Sequence, residues 1–521
     1  MHSLNGGRPT KPWLRVLEPP QFLSGFREAH VKLSWIRLST CLPLTVISLS
    51  ASAALVFIIP NLKHFQDKTG AVATFNSAGY INEKGAFFQS LGTNGRSCAT
   101  CHQADQAFSL SAKGIRETYE RTHGNDPLFA AVDGANCPTA NPKSRAAHSL
   151  LLERGLIRIG ITLPENPQFT IQVVRDPYGC AIATEPATGR PLVSVYRRPL
   201  PSTNLRFLSA VMFDGRETVM PLNNAQTYQN NLYQDLTHQA ISAVQTHFQG
   251  QTPSAEKVDE IVRFEEGLST AQIRDDDVGA LYGHQASGGP LALVTQEYYP
   301  AINDVLGADP EGDAFNSKAF SLYAAWEKPD AYRGRRNEDD RARQEIAAGE
   351  KLFNTAPLVI TAVRGLNDNA TLGNPASIAG TCTTCHDSPN VGNHSVALPL
   401  DIATSRLAAY ETDPAIDAAL RELSAPELPI YEITGCPDPL NPGETVNYYT
   451  SDPGKGLVTG LCADVNRGKG PILRGLAARA PYFHNGAAAN LEELVNFYNQ
   501  RFQMNLSAKE KKELIAFLNA L

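Results

Sequence analysis

The pentapeptide Cys-x-x-Cys-His occurs twice in this chain, at residues 98–102 and 382–386. Two thiols three positions apart lie on one side of a helical turn, so both can bond to the two vinyl groups of one porphyrin. The adjacent histidine can then ligate the porphyrin iron. The pattern predicts two covalently attached haem c groups. The expected attachment residues are Cys98, Cys101, Cys382 and Cys385, and the expected iron ligands are His102 and His386.

Two other kinds of site use closely spaced cysteines. A structural zinc site needs two further ligands at short spacing, and no second Cys-x-x-Cys lies near either copy. A redox-active dithiol does not need the histidine. We therefore expect haem rather than zinc or a dithiol at both motifs.

The remaining composition is that of a globular protein. The chain has 521 residues and a formal net charge of −7, with room for about two or three domains. It contains no polybasic block, so no nucleic-acid partner is expected. The duplicated motif predicts a mainly α fold with two cytochrome c-type haem domains, over residues 75–335 and 340–521. The charged, unpatterned residues 328–343 mark the expected boundary.

Amphipathic periodicity predicts helices close to both motifs, at residues 81–92 and 341–355. The chain closes with a third pattern at 507–521, where Ser507 and Glu510 have the spacing of a capping box. Between Gly155 and Pro199 the period changes, and residues 157–163 and 169–174 alternate like short strands. This stretch predicts an irregular, partly β insertion in the first domain.

The N-terminal region predicts export. Residues 41–60 carry no charge and are long enough to span a bilayer, and basic residues precede them closely. We expect a membrane anchor with the bulk of the chain in the periplasm, after a disordered tail at 1–40. A cleaved signal peptide is the alternative, since Ala51-Ser52-Ala53 resembles a cleavage site.

Four cysteines lie outside the motifs and the N-terminal segment. In an oxidising compartment they predict two disulfides, and two of the four lie in each half of the chain. We expect the pairs Cys137–Cys180 and Cys436–Cys462. Buried free thiols are the alternative.

Three further segments carry a resemblance to a known family. They are Asn204–Glu217, Asp235–Ala240 and Pro471–Tyr498. With the two haem motifs, they make residues 75–521 resemble the bacterial dihaem cytochrome c peroxidases, which include MauG-like proteins. The resemblance implies that the N-terminal haem activates hydrogen peroxide. It also implies a six-coordinate C-terminal haem that relays electrons from a small donor protein, either a cytochrome c or a cupredoxin.

The resemblance assigns further residues around the haems. His484 matches a family histidine near the second haem, and Arg216 belongs to the family's Trp-Asp-Gly-Arg motif, whose residues line the haem region. Tyr498 stands where classical members have a methionine that ligates the second iron, and MauG-like members also have tyrosine there. Tyr498 is therefore the expected ligand, with Met504 as its rival and ordinary helix packing as the alternative.

The sequence also departs from the family pattern. Phe213 replaces the tryptophan of Trp-Asp-Gly-Arg, which puts electron hopping through this residue in doubt. Gln249 stands at the counted position of the distal glutamate and cannot exchange protons. His247, two residues earlier, is the expected replacement, with Gln239 as an orienting group. His247 could serve as acid–base group or as an iron ligand, and a structural core histidine is the alternative.

Three functions follow from these assignments. The first is reduction of hydrogen peroxide to water. The second is MauG-like oxidation of a protein or organic substrate, and the third is a non-enzymatic dihaem electron carrier or redox sensor. The asparagine that binds an interdomain calcium in classical members is not evident near residues 199–204, so calcium stays an open expectation.

Overall fold

The computed structural model describes residues 57–327, 338–439 and 443–521. The tail expected at 1–40 and residues 41–56 of the hydrophobic segment lie outside these ranges. Phe57 is described, and the remaining residues of that segment form a short strand, Ile58–Pro60. Over the described ranges we find no helix with the length and apolar character needed to cross a membrane.

The described residues form eleven α-helices. In chain order, α1 to α11 are Cys98–Cys101, Ala112–Thr122, Ser149–Arg154, Tyr228–Thr246, Ala255–Glu266, Pro290–Val294, Glu338–Thr355, Pro414–Leu420, Gly456–Thr459, Leu491–Arg501 and Ala508–Asn519.

Fourteen short strands accompany these helices in the described part of the chain. In order, β1 to β14 are Ile58–Pro60, Phe65–Gln66, Gly70–Asn76, Tyr80–Asn82, Ile157–Thr162, Thr170–Arg175, Ile182–Thr184, Pro191–Arg197, Leu268–Asp275, Gly279–Ala280, Leu358–Ile360, Ile378–Gly380, Ile430–Pro437 and Thr445–Thr450. They form five small antiparallel sheets, with strand orders β10-β9-β3-β2, β14-β13-β6, β5-β8-β7, β1-β4 and β11-β12.

The expectation of a mainly α fold is corrected to a mixed one. The longest ladder joins β3 to β9, and Thr74 and Thr270 face each other across it from 196 residues apart. Each strand also pairs with a two-residue neighbour in the sequence, β3 with β2 and β9 with β10, but no local pattern indicates that β3 and β9 pair with each other. The partly β insertion is confirmed, because β5 and β6 lie where the alternation predicted strands.

The helix predicted at residues 81–92 is wrong. Tyr80–Asn82 pairs with β1 as a strand, and only the single 3₁₀ turn Ala86–Phe88 follows. A turn at Gly85, whose N–H donates to the Asn82 carbonyl, breaks the segment. Phe87 and Phe88 then pack on Phe264 of α5, so tertiary contacts override the helical pattern.

The other two predicted helices are confirmed, and they pack on each other. The helix expected at 341–355 lies within α7, and the expected closing helix is α11. The Ser507–Glu510 capping box is formed as predicted. A Cβ on Gly349 of α7 would lie 2.0 Å from the Glu513 carbonyl oxygen of α11, so the close approach of these helices requires glycine there.

The β insertion does not stay within the first half of the chain. Strand β6 pairs with β13, a strand from the second half, and the Tyr431 hydroxyl donates to the Ala181 carbonyl at 3.0 Å. The predicted Cys436–Cys462 disulfide is present in this sheet region. The two halves therefore share one sheet and its apolar core.

The second predicted disulfide is corrected to two free thiols. The Cys137 sulfur lies 3.2 Å from the Thr139 hydroxyl, and the Cys180 thiol points to the Asn136 carbonyl oxygen at 3.6 Å. The two thiols also lie beside each other, because besides the effect of burial a hydrogen bond between them lowers the pKa of Cys137 and raises that of Cys180, but they are not bonded as a disulfide.

Candidate functional site

The two Cys-x-x-Cys-His motifs begin in the same way, although the first forms the short α-helix α1 and the second a 3₁₀ turn, Cys382–Thr384. Each begins at a capping box, formed by Ser97 with Thr100 in the first motif and by Thr381 with Thr384 in the second. The box fixes the turn that carries the two thiols. All four motif cysteines are half-buried free thiols, as attachment of a porphyrin requires.

The histidines of both motifs are oriented by a carbonyl six residues downstream. Nδ1 of His102 lies 3.2 Å from the Phe108 oxygen, and Nδ1 of His386 lies 2.5 Å from the Gly392 oxygen. A carbonyl can only accept, so Nδ1 carries the proton and Nε2 keeps a free lone pair. Burial lowers the pKa of His102 to about 4 and lowers the pKa of His386 as well. Both rings are therefore neutral and able to bind a metal.

One cavity of about 410 Å³ extends from the first motif to the second. We call it the main cavity. Its lining includes all six motif residues: Cys98, Cys101, His102, Cys382, Cys385 and His386. Among the other candidates, it is also lined by His247, Gln239, Arg216, His484 and Tyr498. The structure thus gathers every residue predicted for the site around one space, whereas Gln249 is not part of that lining.

Seven basic side chains line the main cavity, and three of them are paired with acids. Arg197 contacts Asp214 and, at 2.6 Å, Asp452. Arg216 also binds Asp214, at 3.0 Å. The third paired residue is Arg96, described below.

The other four are Arg198, Lys469, Arg474 and Arg479, and none of these forms an ion pair with an acid in the described ranges. The three arginines are buried, and Arg198 Nη1 and Arg474 Nε have no hydrogen-bond partner. Burial lowers the pKa of Lys469 to about 8, of Arg198 to about 9, and of Arg474 and Arg479 to about 10. The cavity therefore has four cations without an ion-pair partner, although the charge of Glu350 acts on Arg474.

These four cations provide a test of whether haem fits the site. Unpaired buried charges are costly, so a native structure supplies them with partners. Each haem c carries two propionate carboxylates, so two haems bring four. Cations without an ion-pair partner can bind such carboxylates, so the residues that line the main cavity fit haem.

The predicted distal histidine, His247, belongs to a buried polar triad. It lies at the C-terminal end of α4, and its Nδ1 donates to Asp133 Oδ2 at 2.6 Å. The other oxygen of Asp133 pairs with Arg96. Burial alone would raise the pKa of Asp133, but the His247 hydrogen bond and the Arg96 charge outweigh it and lower that pKa. Asp133 is therefore ionised and fixes the orientation of the His247 ring.

Phe213 and His484 stack on each other at the cavity wall. Their ring centroids are 4.2 Å apart and the rings lie within 11° of parallel. The Arg197 guanidinium lies over the Phe213 ring, 5.1 Å from its centroid. A Cβ on Gly468 would lie 2.2 Å from the Phe213 ring, so glycine makes room for this stack.

Tyr498 and Met504 both line the main cavity together with the second motif. Tyr498 projects from α10, and burial together with the charges of Cys385 and Cys382 raises the pKa of its phenol. Met504 is buried in the same apolar cluster. The choice between them as iron ligand stays a prediction, as does the role of Arg216 toward the cofactor.

Sequence reasoning missed several residues of the site. Asp133 is separated from His247 by 114 positions, so no local motif connects them. Glu265 lines the main cavity, and burial raises its pKa to about 8. One of its oxygens has no hydrogen-bond partner. A carboxylate on the buried face of the amphipathic helix α5 was the available signal for Glu265.

No group of three or more His, Cys, Asp or Glu side chains has a metal-binding arrangement in the described ranges. Calcium therefore stays an open expectation.

Comparisons with known proteins return peroxidases. No family model matches the sequence. The chain is 37% identical over 100 residues to the cytochrome-c peroxidase IdrP2 of Denitromonas iodatirespirans, which covers 18% of this chain and 25% of that protein. It is 27% identical over 154 residues to the cytochrome-c peroxidase IdrP1 of a Pseudomonas species. That match covers 27% of this chain and 36% of the relative. It is 41% identical over 78 residues to the cytochrome c551 peroxidase of Nitrosomonas europaea. That match covers 14% of this chain and 23% of the relative.

The matched segments thus span between 23% and 36% of the length of these relatives. Among solved structures, a MauG-like protein associated with microbial copper homeostasis is similar at 12% identity, over 66% of this chain and 79% of that chain. Its TM-score is 0.25, too low to carry an argument. The sequence matches confirm the resemblance drawn from the motifs: the chain is similar to the bacterial dihaem cytochrome c peroxidases, a family that includes MauG-like proteins.

Proposed function

We propose that this chain carries two covalent haem c groups outside the cytoplasm and reduces hydrogen peroxide to water. The observation that carries the proposal is the main cavity, because both attachment motifs and four unpaired cations line one continuous space. The peroxidase relatives support the reaction class. Export is proposed because haem c is attached outside the cytoplasm in bacteria and an uncharged segment lies at residues 41–60.

Each motif would hold one haem through its two thiols, and His102 or His386 would bind the iron. When bound, the haem irons supply the redox chemistry and a coordination position for peroxide. The carbonyl oxygens of Phe108 and Gly392 hold the two imidazoles in the metal-binding tautomer. The four unpaired cations bind the propionates.

The first motif is the peroxide site, because His247 is close enough to His102 to act on its pKa and its ring is held by Asp133. Peroxide cleavage requires that a proton move from the inner to the outer oxygen. Nε2 of His247 can accept and return that proton, because Nδ1 is committed to Asp133. Gln239 faces the same space and can orient peroxide by hydrogen bonding, but it cannot transfer a proton.

The second motif receives electrons from a small donor protein, a cytochrome c or a cupredoxin. The Phe213–His484 stack lies in the wall of the cavity that both motifs line. A phenyl ring is hard to oxidise, so we propose that electrons tunnel past Phe213 rather than reside on it.

Two measurements on the purified full-length chain test the proposal. A pyridine haemochrome assay is expected to give two haem c per chain. A peroxide-consumption assay with a reduced small cytochrome as donor is expected to show two donor molecules oxidised per peroxide. A count of zero haems, or peroxide turnover no faster than with free haem, would refute it.

A double variant provides the matched control for the two-haem assignment. Replacing Cys382 and Cys385 with alanine is expected to leave one haem and to abolish donor-driven turnover, since electrons no longer reach the first site. The corresponding change at Cys98 and Cys101 is expected to remove the peroxide reaction itself. A Cys98 and Cys101 double variant that still reacts with peroxide in the absence of donor would contradict the division of roles.

A second candidate function is MauG-like oxidation of a protein or organic substrate. The observation that favours it is that Tyr498 lines the cavity beside the second motif, because a tyrosine ligand favours ferric and higher states of a haem iron. In that case peroxide is consumed without the small donor, and a co-expressed partner protein becomes oxidised. If ferric EPR shows two low-spin irons and peroxide is not consumed at all, the chain is an electron carrier or sensor instead.

A further inference from the structure

A second, smaller cavity of about 160 Å³ lies against the main cavity. We call it the side cavity. The two cavities share part of their walls, and the shared residues are Asp133, Ile159, Met212, Arg216, Gln239, Ala243 and His247. His247 and the carboxylate that orients it therefore separate the two spaces.

The side cavity reaches from this shared wall to the protein surface. Its lining includes Gly160 and Thr246, which are exposed, as well as the buried Arg158 and Glu217. A water molecule occupies about 30 Å³ in the liquid, so the side cavity has room for several waters next to polar groups.

A hydrogen-bonded pair lies at the side cavity and leads to solvent. Glu217 lines the cavity, and its side chain is only 7% exposed. Nδ1 of His238 donates to Glu217 Oε2 at 2.6 Å, and the His238 side chain is 53% exposed. The other Glu217 oxygen accepts from the Ser242 hydroxyl at 3.0 Å. A buried carboxylate is thus connected directly to a solvent-exposed imidazole.

Several other charges surround this pair. Arg216 lies 3.8 Å from Glu217, and Asp235 on α4 acts on both members of the pair. Across the side cavity lie Arg158, Asp133 and His247. Glu217 thus has Arg216 and His238 as charged neighbours and faces the same space as Arg158 and His247.

The proposed reaction needs such a connection. Reduction of one hydrogen peroxide to two waters consumes two electrons and two protons. The electrons come from the donor protein through the second site, but His247 is only partly exposed and its Nδ1 is bonded to Asp133. Protons must therefore be delivered to the Nε2 side of His247 from solvent.

We propose that His238 and Glu217 form the proton relay of this protein, which passes protons from solvent across the side cavity to His247. His238 takes up a proton at its exposed Nε2 and releases one from Nδ1 to Glu217. Glu217 passes it through water in the side cavity to the wall that carries His247. The inference rests on the proposed peroxide reduction and adds two residues that do not touch the haem or peroxide.

The test uses the full-length haem-loaded protein and Glu217→Gln, which keeps the size and one acceptor oxygen of the side chain. Peroxide consumption and its solvent deuterium isotope effect are measured across pH. The variant is expected to lose about tenfold or more in rate, within the lower range for a lost proton-transfer group. Its haem spectrum and melting temperature are expected to match the wild type, and Glu217→Asp is expected to recover part of the rate.

A second variant keeps the test decisive if Glu217→Gln folds poorly. His238→Ala removes a half-exposed ring, and a higher concentration of phosphate buffer, which carries protons, is expected to restore part of its rate without changing the wild-type rate. The control is His64→Gln, an exposed histidine elsewhere on the surface, which is expected to behave as wild type.

The outcomes separate the relay from the function. If the wild type does not reduce peroxide, the proposed function fails. If the wild type is active while Glu217→Gln and His238→Ala keep its rate, its pH profile and its isotope effect, the relay is overturned and the function stands.

Discussion

Replacing Asp133 with asparagine removes the charge that joins Arg96 to His247. Asp133 is 4% exposed, and its two oxygens bind the two partners separately. The asparagine keeps a similar shape, so no cavity is created. What changes is that the buried Arg96 guanidinium loses its counter-charge and the His247 ring loses an anionic acceptor.

The size of the effect follows from the burial of this triad. Removing one partner of a buried ion pair costs about 3–5 kcal/mol. For a body of this size the entropy of unfolding corresponds to about 1 kcal/mol per degree, so the melting temperature is expected to fall by about 3–5 °C. A surface control is Glu120→Gln, whose pair with Arg145 is more than half exposed on both sides. That change is expected to cost less than about 1 kcal/mol.

The stability that Asp133 contributes changes with pH in a defined direction. The pKa of Asp133 is lowered in the folded protein, so its contribution to stability is present above the pKa of the unfolded chain. This contribution is lost as the pH falls through the folded pKa. The melting temperatures of wild type and Asp133→Asn should therefore converge in acid, below about pH 4.

Calorimetry and stopped-flow peroxide mixing on the same samples check the prediction. Asp133→Asn is expected to react with peroxide about 10²-fold or more slowly, because His247 is no longer held as a base. A variant with the wild-type melting temperature would show that the ion pair between Arg96 and Asp133 does not contribute to stability. A variant with a lowered melting temperature but an unchanged peroxide rate would remove His247 from the chemistry.

Three further changes are expected to have measurable effects. Tyr498→Phe should convert a low-spin ferric EPR signal to high-spin, whereas Met504→Leu should not, and the reverse result would exchange their roles. Gly468→Ala should push the Phe213 ring off its stack and lower the free energy of unfolding by about 1–3 kcal/mol, as overpacking does; an unchanged denaturation midpoint would contradict it. Lys469→Gln should lower one haem reduction potential by on the order of 50 mV, because a cation near the iron is lost; redox titration with both potentials unchanged would exclude Lys469 as a propionate partner.

The parts of the site that sequence reasoning located are those whose chemistry lies within a few residues. Each Cys-x-x-Cys-His motif contains its own thiols and imidazole, and α11 contains its own capping box. His247 was found because it stands beside a counted position in a recognised helix. These residues do not need the tertiary structure to be noticed.

The remaining parts depend on contacts between distant segments. Asp133 reaches His247 from another part of the chain, and the unpaired cation Arg198 lies far from Lys469 in sequence. Strand β3 is only recognisable beside β9, and residues 81–92 lost their predicted helix to packing on α5. A pattern within one segment cannot report which distant segment will complete its hydrogen bonds or its charge balance.

The pairing of β6 with β13 also has a consequence for how the chain folds as it is made. Gln172 and Glu432 are neighbours across that ladder, although 260 residues separate them. Strand β3 likewise pairs with β9, which is synthesised much later. A chain that emerges from its N-terminus exposes β6 long before its partner has been synthesised. Unpaired strand edges of this kind recruit other chains, and long-range pairing is slow. The nascent chain is therefore expected to be prone to self-association until β13 has been synthesised and can pair with β6.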